Sequence, residues 1–172
     1  MDNLRYPIGR FQVPDPISAG DLETWIANIG GLPQELRITL AEVTDAELEQ
    51  TYRPGGWTVR QLVHHLADSH LNAYLRFKWS LTEDKPHIKA YDEKAWAETP
   101  DIAAVPIAVS LDLLTGLHDR WLSLLRHLEP ADFSERGYHH PDGNFYSLAR
   151  ATGQYAWHGR HHLAHVRLAL KH

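Results

Sequence analysis

The sequence predicts an all-α protein organised as a four-helix bundle. Apolar residues recur at helical spacing in four main segments, and only short pieces lie between them. None of the 172 residues is a cysteine, which excludes disulfides and thiolate metal sites. A chain of this length is expected to form one domain, residues 1–172, and three prolines in residues 1–17 predict an extended N-terminal arm.

The first helical segment begins at Asp21. The sequence Gly30-Gly-Leu-Pro33 is predicted to end it, because glycine weakens a helix and proline lacks the N–H that a helix interior needs. Pro33 suits the first turn of a following helix, which is predicted to reach Val43. Thr44 then opens a Thr-x-x-Glu capping box, which predicts a short capped turn of helix.

The middle of the chain holds two long helical patterns. Thr58 suits an N-cap, and the helix after it is predicted to reach about residue 82. The connection over 86–106 is long, with a short helix predicted at 92–97, and long connections in compact domains are often functional. The next helix is predicted over 107–128. Its leucines, together with Trp121, are predicted to form a buried stripe.

A turn and a final helix complete the predicted fold. Residues 139–144 read His-His-Pro-Asp-Gly-Asn, which predicts a turn with short extended flanks. The last helix is predicted over 147–170. Four main helices with a few short pieces favour an all-α bundle, and such bundles commonly hold metal ions between facing helices.

Charge and hydropathy exclude several classes of protein. The net charge of -5 argues against a nucleic-acid binder, which usually presents a basic face. No stretch approaches eighteen apolar residues, and the N-terminal residues contain no apolar core of signal-peptide length. We therefore expect a soluble, cytoplasmic protein that acts on a small molecule, with no nucleic acid and no membrane as a partner.

Histidines are concentrated in the last predicted helix. Four of the 13 histidines lie within residues 158–165. His158 and His162 are four residues apart, as are His161 and His165, so either pair places two imidazoles on one helix face as a metal chelate. Spacing alone does not choose between the pairs. The alternative to a metal site is that these histidines are exposed surface residues without a function.

A third nitrogen ligand would have to come from another helix, since two histidines fill half of a tetrahedral shell. His65 is the best donor. It shares a polar stripe with Gln61, Asp68, Ser69, Asn72 and Arg76, and such a stripe is equally typical of a solvated surface. Gly153 and Gly159 in the last helix indicate the close approach of a neighbour, or they are tolerated defects.

The predicted chelating turn contains no acid. Zinc proteases of the His-Glu-x-x-His type place their general base beside the first ligand, whereas Gly159 follows His158 here. A base would have to come from elsewhere, with Asp68, Asp92 and Glu93 as the candidates, or the reaction needs little help from a base.

Two motifs resemble those of the DinB/YfiT-like superfamily, and in particular of its YfiT branch. The segment Trp57-Thr-Val-Arg-Gln-Leu-Val-His-His65 is similar to the first metal motif, a tryptophan followed eight residues later by a ligand histidine. The segment His158-Gly-Arg-His-His162 is similar to the second motif, His-x-x-His-His. The similarity extends over nearly the whole chain, although residues 163–165 read Leu-Ala-His where the broader DinB pattern continues His-Arg-Gly-Gln.

The resemblance implies a fold and a metal site. The implied fold is a four-helix up-down-down-up bundle that is often dimeric, so a homodimer is expected. The implied cofactor is one divalent ion, Zn²⁺ or Ni²⁺, held by His65, His158 and His162.

The resemblance also implies an activity, either a metal-dependent hydrolase or a thiol S-transferase. Related transferases join a low-molecular-weight thiol, such as bacillithiol, mycothiol or glutathione, to an electrophile. Thiol transfer is consistent with the absence of a general base beside the ligands, because a divalent ion deprotonates a coordinated thiol outright. Hydrolysis would instead use a coordinated water. The alternative is a non-catalytic metal-binding stress-response protein whose ion only ties helices together.

Four further residues are candidates for substrate binding: Asn72, Arg76, Tyr91 and Trp96. Arg76 suits a carboxylate, because a guanidinium group binds carboxylates in bidentate fashion. Tyr91 and Trp96 lie in the long connection, which could fold over the metal position. Asp92 has an alternative interpretation as the cap of the predicted short helix.

Overall fold

The computed structural model describes residues 2–171, so Met1 and His172 lie outside the described range. Over this range the chain is mainly helical, with one small antiparallel hairpin. The elements in chain order are α1 (Asp2–Arg5), α2 (Ala19–Leu40), α3 (Asp45–Leu48), α4 (Val59–Thr82), α5 (Glu93–Trp96), α6 (Pro100–Ala104), α7 (Ile107–Arg126), α8 (Pro130–Glu135), β1 (Gly137–His139), β2 (Phe145–Ser147) and α9 (Leu148–Ala169).

The long helices α2, α4, α7 and α9 pack together as a bundle. Helix α2 packs against α7 and α9, and α4 packs against the same two helices. The pairs α2/α4 and α7/α9 therefore lie on the two diagonals of the bundle. A simple up-down-up-down bundle would instead place consecutive helices side by side.

Helices α2 and α9 run parallel. Gly153 lies against Trp25, and Gly159 lies against Leu32, so residue numbers increase together along the two helices. A Cβ atom at Gly153 would lie 2.8 Å from Trp25, and one at Gly159 would lie 2.6 Å from Leu32. The two glycines of α9 thus permit the close approach of a neighbouring helix, which is one of the two interpretations of their presence.

Helix directions elsewhere follow from contacts of the same kind. Helices α4 and α7 are parallel, because the earlier His64 contacts Ser110 while the later His70 contacts His118. Helices α4 and α9 are antiparallel, because the earlier His65 contacts His158 while the later Arg76 contacts Tyr155, which precedes His158. In chain order, the four long helices of the described range run up, down, down and up, and the predicted bundle is confirmed.

The prediction that Gly30-Gly-Leu-Pro33 ends the first helix is wrong. Helix α2 runs through this segment without interruption, and no separate helix begins at Pro33. A Cβ atom at Gly30 would lie 2.9 Å from Leu122, so glycine permits tight packing of α7 here. Pro33 has no N–H to offer to Ile29 O, and Nδ1 of His118 donates to that carbonyl instead, at 2.7 Å. Tertiary contacts therefore compensate for both helix-weakening residues.

The predicted extended arm needs correction at its start, where α1 forms one turn of helix. This turn ends at Arg5 because Tyr6 precedes Pro7, and the residue before a proline disfavours the helical conformation. Residues 6–17 contain no helix or strand. The ring of Tyr6 stacks on His161 with centroids 5.8 Å apart, so the arm is attached to α9.

Three predicted N-caps and two other local features are confirmed, whereas α2 begins at Ala19, two residues before the predicted Asp21. Thr44, Thr58 and Ser147 accept backbone hydrogen bonds as the N-caps of α3, α4 and α9. The short helix expected near 92–97 is α5, and the turn over 139–144 joins β1 to β2. Helix α7 buries most of the predicted stripe, with Trp121 fully enclosed.

No single helix within residues 2–171 is long and apolar enough to cross a membrane. Glu93–Ala104 and Ile107–Arg126 meet the length and composition criteria only when they are taken together across a bend of 116°.

Candidate metal centre

Three histidine side chains from two helices converge inside the bundle. His65 comes from α4, and His158 and His162 come from successive turns of α9. One ring nitrogen of each histidine lies within 4.8 Å of the other two, and Nε2 of His65 is 3.2 Å from Nε2 of His158. The structure thus brings together the three residues to which the motifs and the resemblance pointed.

The chemistry of these nitrogens fits a divalent cation. Tetrahedral coordination with Zn–N bonds of 2.0–2.1 Å places ligand nitrogens roughly 3.3 Å apart, which this arrangement can meet with small side-chain movements. Burial lowers the pKa of His65 from 6.5 to about 4. Burial also holds the pKa values of His158 and His162 well below 6.5, and the neighbouring histidines add to the effect. All three imidazoles are therefore neutral at pH 7, as metal ligands must be.

A series of hydrogen bonds begins at Nδ1 of His158, the ring nitrogen that does not face His65. Nδ1 of His158 is 3.3 Å from Nε2 of His70, and Nδ1 of His70 is 2.8 Å from Nε2 of His118. Nδ1 of His118 lies 2.7 Å from Ile29 O, the carbonyl that Pro33 leaves without a helical donor. His70 and His118 are 0% and 1% exposed, so water does not compete for these bonds. We refer to the series His118–His70–His158 as the histidine relay.

The carbonyl at the end of the histidine relay sets the proton position in each ring. Ile29 O can only accept, so His118 carries its hydrogen on Nδ1 and, being neutral, accepts at Nε2. His70 then donates from Nδ1 and accepts at Nε2, which leaves His158 to donate from Nδ1. The Nε2 lone pair of His158 therefore faces His65, in the orientation that a metal ligand requires.

His162 is supported in the same way from the N-terminal arm. Its Nδ1 is 3.3 Å from Nδ1 of His165, and Nε2 of His165 is 3.2 Å from Arg5 O. Because Arg5 O accepts, His165 donates from Nε2 and accepts the Nδ1 hydrogen of His162. Nε2 of His162 keeps its lone pair, so the turn α1 contributes a carbonyl to the support of a candidate ligand.

A second histidine group shares His162 with the first. One nitrogen each of His161, His162 and His165 also lies within 4.8 Å of the others. Both nitrogens of His165 already have hydrogen-bonding contacts, and the ring of His161 stacks on Trp157 with centroids 4.5 Å apart. All three residues lie on α9 alone. The hydrogen bonds therefore favour the group that contains His65 and His158.

A small pocket of about 130 Å³ lies beside His158 and contains three of the candidates, Arg76, Tyr91 and Glu93. Its other lining residues are Ser69, Ala90, His140, Gln154, Tyr155 and Trp157. His65, Ser69 and Arg76 are buried, so this part of the polar stripe on α4 is not a solvated surface. A larger groove, of about 970 Å³, is lined by none of the candidate residues.

The three candidate acids lie in different environments. Glu93 lines the pocket, and burial raises its pKa. Asp68 is half-buried, which raises its pKa to about 6, but it does not line the pocket. Asp92 is exposed and accepts two backbone hydrogen bonds as the cap of α5, in agreement with its structural interpretation. Glu93 is therefore the acid that the structure places beside His158.

Two predicted substrate-binding residues lie outside the pocket lining. Nδ2 of Asn72 donates to the backbone carbonyl of Asp68 at 2.9 Å, within its own helix. Trp96 is 40% exposed and packs on Tyr91 with ring centroids 4.5 Å apart. Trp96 thus borders the pocket through Tyr91, whereas the structure gives Asn72 a local role.

Sequence reasoning missed three residues of this region. Tyr155 precedes His158 by three positions and so shares its helix face, a signal that could have placed it near the site. His70 and His118 carry no such signal, because their partners come from other helices.

Acidification is expected to destabilise the metal-free protein between pH 6.5 and about 4. Burial lowers the pKa from 6.5 to about 4 for His65, His118, His161 and His165. Below pH 6.5 the unfolded chain binds protons that the folded chain does not, so the free energy of unfolding falls as the pH falls. Asp68, whose pKa is raised to about 6, and Glu93, whose pKa burial also raises, oppose this trend, but they are two carboxyl groups against several imidazoles.

The measurement is denaturant unfolding of the metal-free protein at pH 7.5, 6.0 and 5.0. Equal free energies of unfolding at the three pH values would contradict the burial of neutral histidines.

Comparison with known proteins identifies the family. A family model described as the DinB superfamily matches residues 31–166, a range that contains both histidine motifs. The chain belongs to the DinB superfamily. The resemblance of the two motifs is thereby confirmed.

Similar proteins occur in Bacillus species. Proteins of Bacillus cereus (strain AH820) and Bacillus pumilus (strain SAFR-032) both carry the name "Putative metal-dependent hydrolase". The first is 51% identical over 166 residues, covering 96% of this chain and 95% of the relative. The second is 48% identical over 171 residues, covering 99% of this chain and 97% of the relative.

A solved structure shows the same fold. It is described as "YfiT from Bacillus subtilis is a probable metal-dependent hydrolase with an unusual four-helix bundle topology". The two chains superpose with a TM-score of 0.93 at 47% identity, covering 98% of this chain and 97% of the other.

Proposed function

We propose that this member of the DinB superfamily is a metal-dependent thiol S-transferase that acts on a small molecule. His65, His158 and His162 would hold one divalent ion, Zn²⁺ or Ni²⁺, and a low-molecular-weight thiol would be the co-substrate. The names of the relatives support metal dependence, and the histidine geometry supports the choice of ligands.

The observation that carries the proposal is the all-histidine composition of the site. Within residues 2–171, the side-chain groups able to hold a metal contain histidines and no carboxylate. A thiol with a pKa of about 8.5 needs far less help to ionise than water with a pKa of about 15.7. When bound, a divalent ion lowers the pKa of a thiol or a water and so supplies a nucleophile. Thiol chemistry therefore demands the least from the residues that are present.

The surrounding residues orient the site. His70 accepts the Nδ1 hydrogen of His158, and His165 accepts that of His162. Both Nε2 atoms therefore keep a lone pair that could bind a metal ion. The ring of Trp57 packs on His65 with centroids 4.6 Å apart and restricts the position of that imidazole. The pocket beside His158 gives a small molecule a place to bind.

Hydrolysis is the second candidate function, and Glu93 favours it. This carboxyl group lines the pocket beside His158, within reach of a molecule bound there, and burial raises its pKa. The names of the relatives point in the same direction. In this reaction Glu93 would act as the general base that the chelating turn lacks.

The two functions are separable with metal-loaded protein. Monochlorobimane is offered with a panel of thiols, and a panel of esters and amides is offered in parallel. We expect metal-dependent conjugation with at least one thiol, and we expect Glu93→Gln to reduce conjugation far less than any hydrolysis. Turnover of an ester or amide, with no acceleration for any thiol, would reverse this preference.

Metal-free protein and the His65→Ala variant serve as controls, since both should lack either activity. A protein that binds the ion but accelerates neither reaction would support the non-catalytic stress-response alternative. The homodimer stays a prediction, and sedimentation of the metal-loaded protein tests it.

A further inference from the structure

The guanidinium group of Arg76 is a buried cation without a carboxylate partner. Arg76 is 8% exposed. No carboxylate oxygen of the described residues lies within 4.0 Å of its nitrogens. Its Nη1 atom donates to the hydroxyl of Tyr155 at 2.7 Å, but that group is neutral. Burial of a charge is unfavourable unless an opposite charge accompanies it, and Glu93 lines the same pocket without pairing directly with Arg76, so the guanidinium group has room for a directly bonded anion.

Tyr91 supplies a second donor to the same pocket. Its hydroxyl is buried and makes no hydrogen bond of good geometry within residues 2–171, although the side chain of Ser69 lies near it. Tyr91 and Arg76 both line the pocket of about 130 Å³. Buried polar groups are almost always hydrogen-bonded, so an unpaired hydroxyl together with a guanidinium group that bonds to no carboxylate indicates an absent acceptor that carries negative charge.

We propose that this pocket binds a carboxylate group of the substrate, with Arg76 and Tyr91 as its hydrogen-bond donors. A guanidinium group matches the planar geometry of a carboxylate, and the phenol adds a third donor. The pocket admits a carboxylate on a short carbon stem, while the rest of the molecule extends out of it. The inference rests on the proposed function only in the placement of the substrate's reacting group, which would lie beside His158.

The charge of the pocket selects a carboxylate over a phosphate. Glu93 lines the same pocket and adds an acidic group beside the single guanidinium. One cation with a neighbouring acid suits a ligand group with one negative charge better than a group with two. The substrate class that follows is a small organic acid, or a thiol or electrophile that carries a carboxylate.

Calorimetric titration tests the pocket without any turnover. The ligands are propionate, its neutral analogue propionamide, and inorganic phosphate, each added to the metal-loaded and the metal-free protein. We expect one propionate to bind per chain in both forms, about 10-fold or more tightly than propionamide or phosphate. Binding to the metal-free form separates this pocket from a carboxylate that simply coordinates the ion.

Three variants assign the binding to named residues. Arg76→Gln is expected to weaken propionate binding about 10-fold or more, and Tyr91→Phe about 3-fold to 10-fold. Lys78→Gln removes the same charge from an exposed position on the same helix and should leave the affinity unchanged. If Arg76→Gln does not fold, Tyr91→Phe carries the test, because it removes one hydroxyl and keeps the buried ring.

The proposal is overturned if propionamide binds as tightly as propionate, if propionate binds only when metal is present, or if the Arg76 and Tyr91 variants keep full affinity. Loss of thiol conjugation alongside normal propionate binding would instead count against the proposed function and leave the carboxylate pocket standing.

Discussion

Replacing His65 or His158 by alanine is expected to abolish stoichiometric binding of a divalent metal. Each change removes one of three nitrogens that lie within 4.8 Å of one another, and the two remaining imidazoles fill only half of a tetrahedral shell. The loss of affinity should exceed the roughly 10-fold to 100-fold that follows removal of a supporting residue. Metal content per chain after loading and dialysis measures the effect, and circular dichroism checks that the helices remain.

His161→Ala is the matched control for these variants. His162 belongs to both candidate groups, so only the residues that the groups do not share can distinguish them. His161→Ala should keep the metal, because its contact with Trp157 is ring stacking. Metal loss in His161→Ala with retention in His65→Ala would move the site to the second group, and with it the proposed mechanism.

Short-range signals predicted most of the fold because they act within one or two helical turns. The caps at Thr58 and Ser147 are formed by neighbours three residues away, and the sequence contains all that they require. The break predicted in α2 was wrong because the contacts that compensate for Gly30 and Pro33 come from α7. A local pattern holds no information about a partner far along the chain.

In the candidate site too, local patterns could be predicted from the sequence and contacts between distant residues could not. The spacing of His158 and His162 follows from helix geometry alone, and the choice between the two histidine pairs came from the resemblance. The support of these residues could not be predicted, since His70 and His118 are 48 residues apart and His118 is 89 residues from Ile29. Likewise, the sequence indicated Arg76 and Tyr91 as candidates for substrate binding. Only the folded chain shows that the guanidinium group lacks a carboxylate partner and that the phenol hydroxyl lacks a hydrogen bond.

Interrupting the histidine relay at His118 is expected to weaken metal binding from a position that does not contact the ion. His118→Phe keeps an aromatic ring but removes the donor to Ile29 O and the acceptor for His70. Without that acceptor, His70 is no longer required to accept from His158, and the lone pair of His158 loses its fixed direction. We expect metal affinity to fall about 10-fold to 100-fold, as for other residues that orient a ligand. The free energy of unfolding should fall by about 1–3 kcal/mol, because buried polar groups lose partners.

Nitrogen NMR of the imidazole rings distinguishes this effect from general destabilisation. In the unaltered protein, His118, His70 and His158 should each carry hydrogen on Nδ1, and His118→Phe should disturb that pattern at His158. His64→Phe is the matched control, because it removes a buried hydrogen bond to Ser110 from the same helix as His70 without touching the histidine relay. It should lower stability and leave both the metal affinity and the proton position of His158 unchanged.

The conservative variant His118→Gln tests whether the hydrogen bonds themselves matter. One amide group can both donate to Ile29 O and accept from His70, so His118→Gln should recover much of the metal affinity that His118→Phe loses. The histidine relay has no role in metal binding if His64→Phe and His118→Phe lower the affinity equally, or if His158 of the unaltered protein carries its hydrogen on Nε2. If the relay acts as described, Pro33 takes part in metal binding, because its missing N–H frees the carbonyl that sets the direction of every hydrogen bond leading to His158.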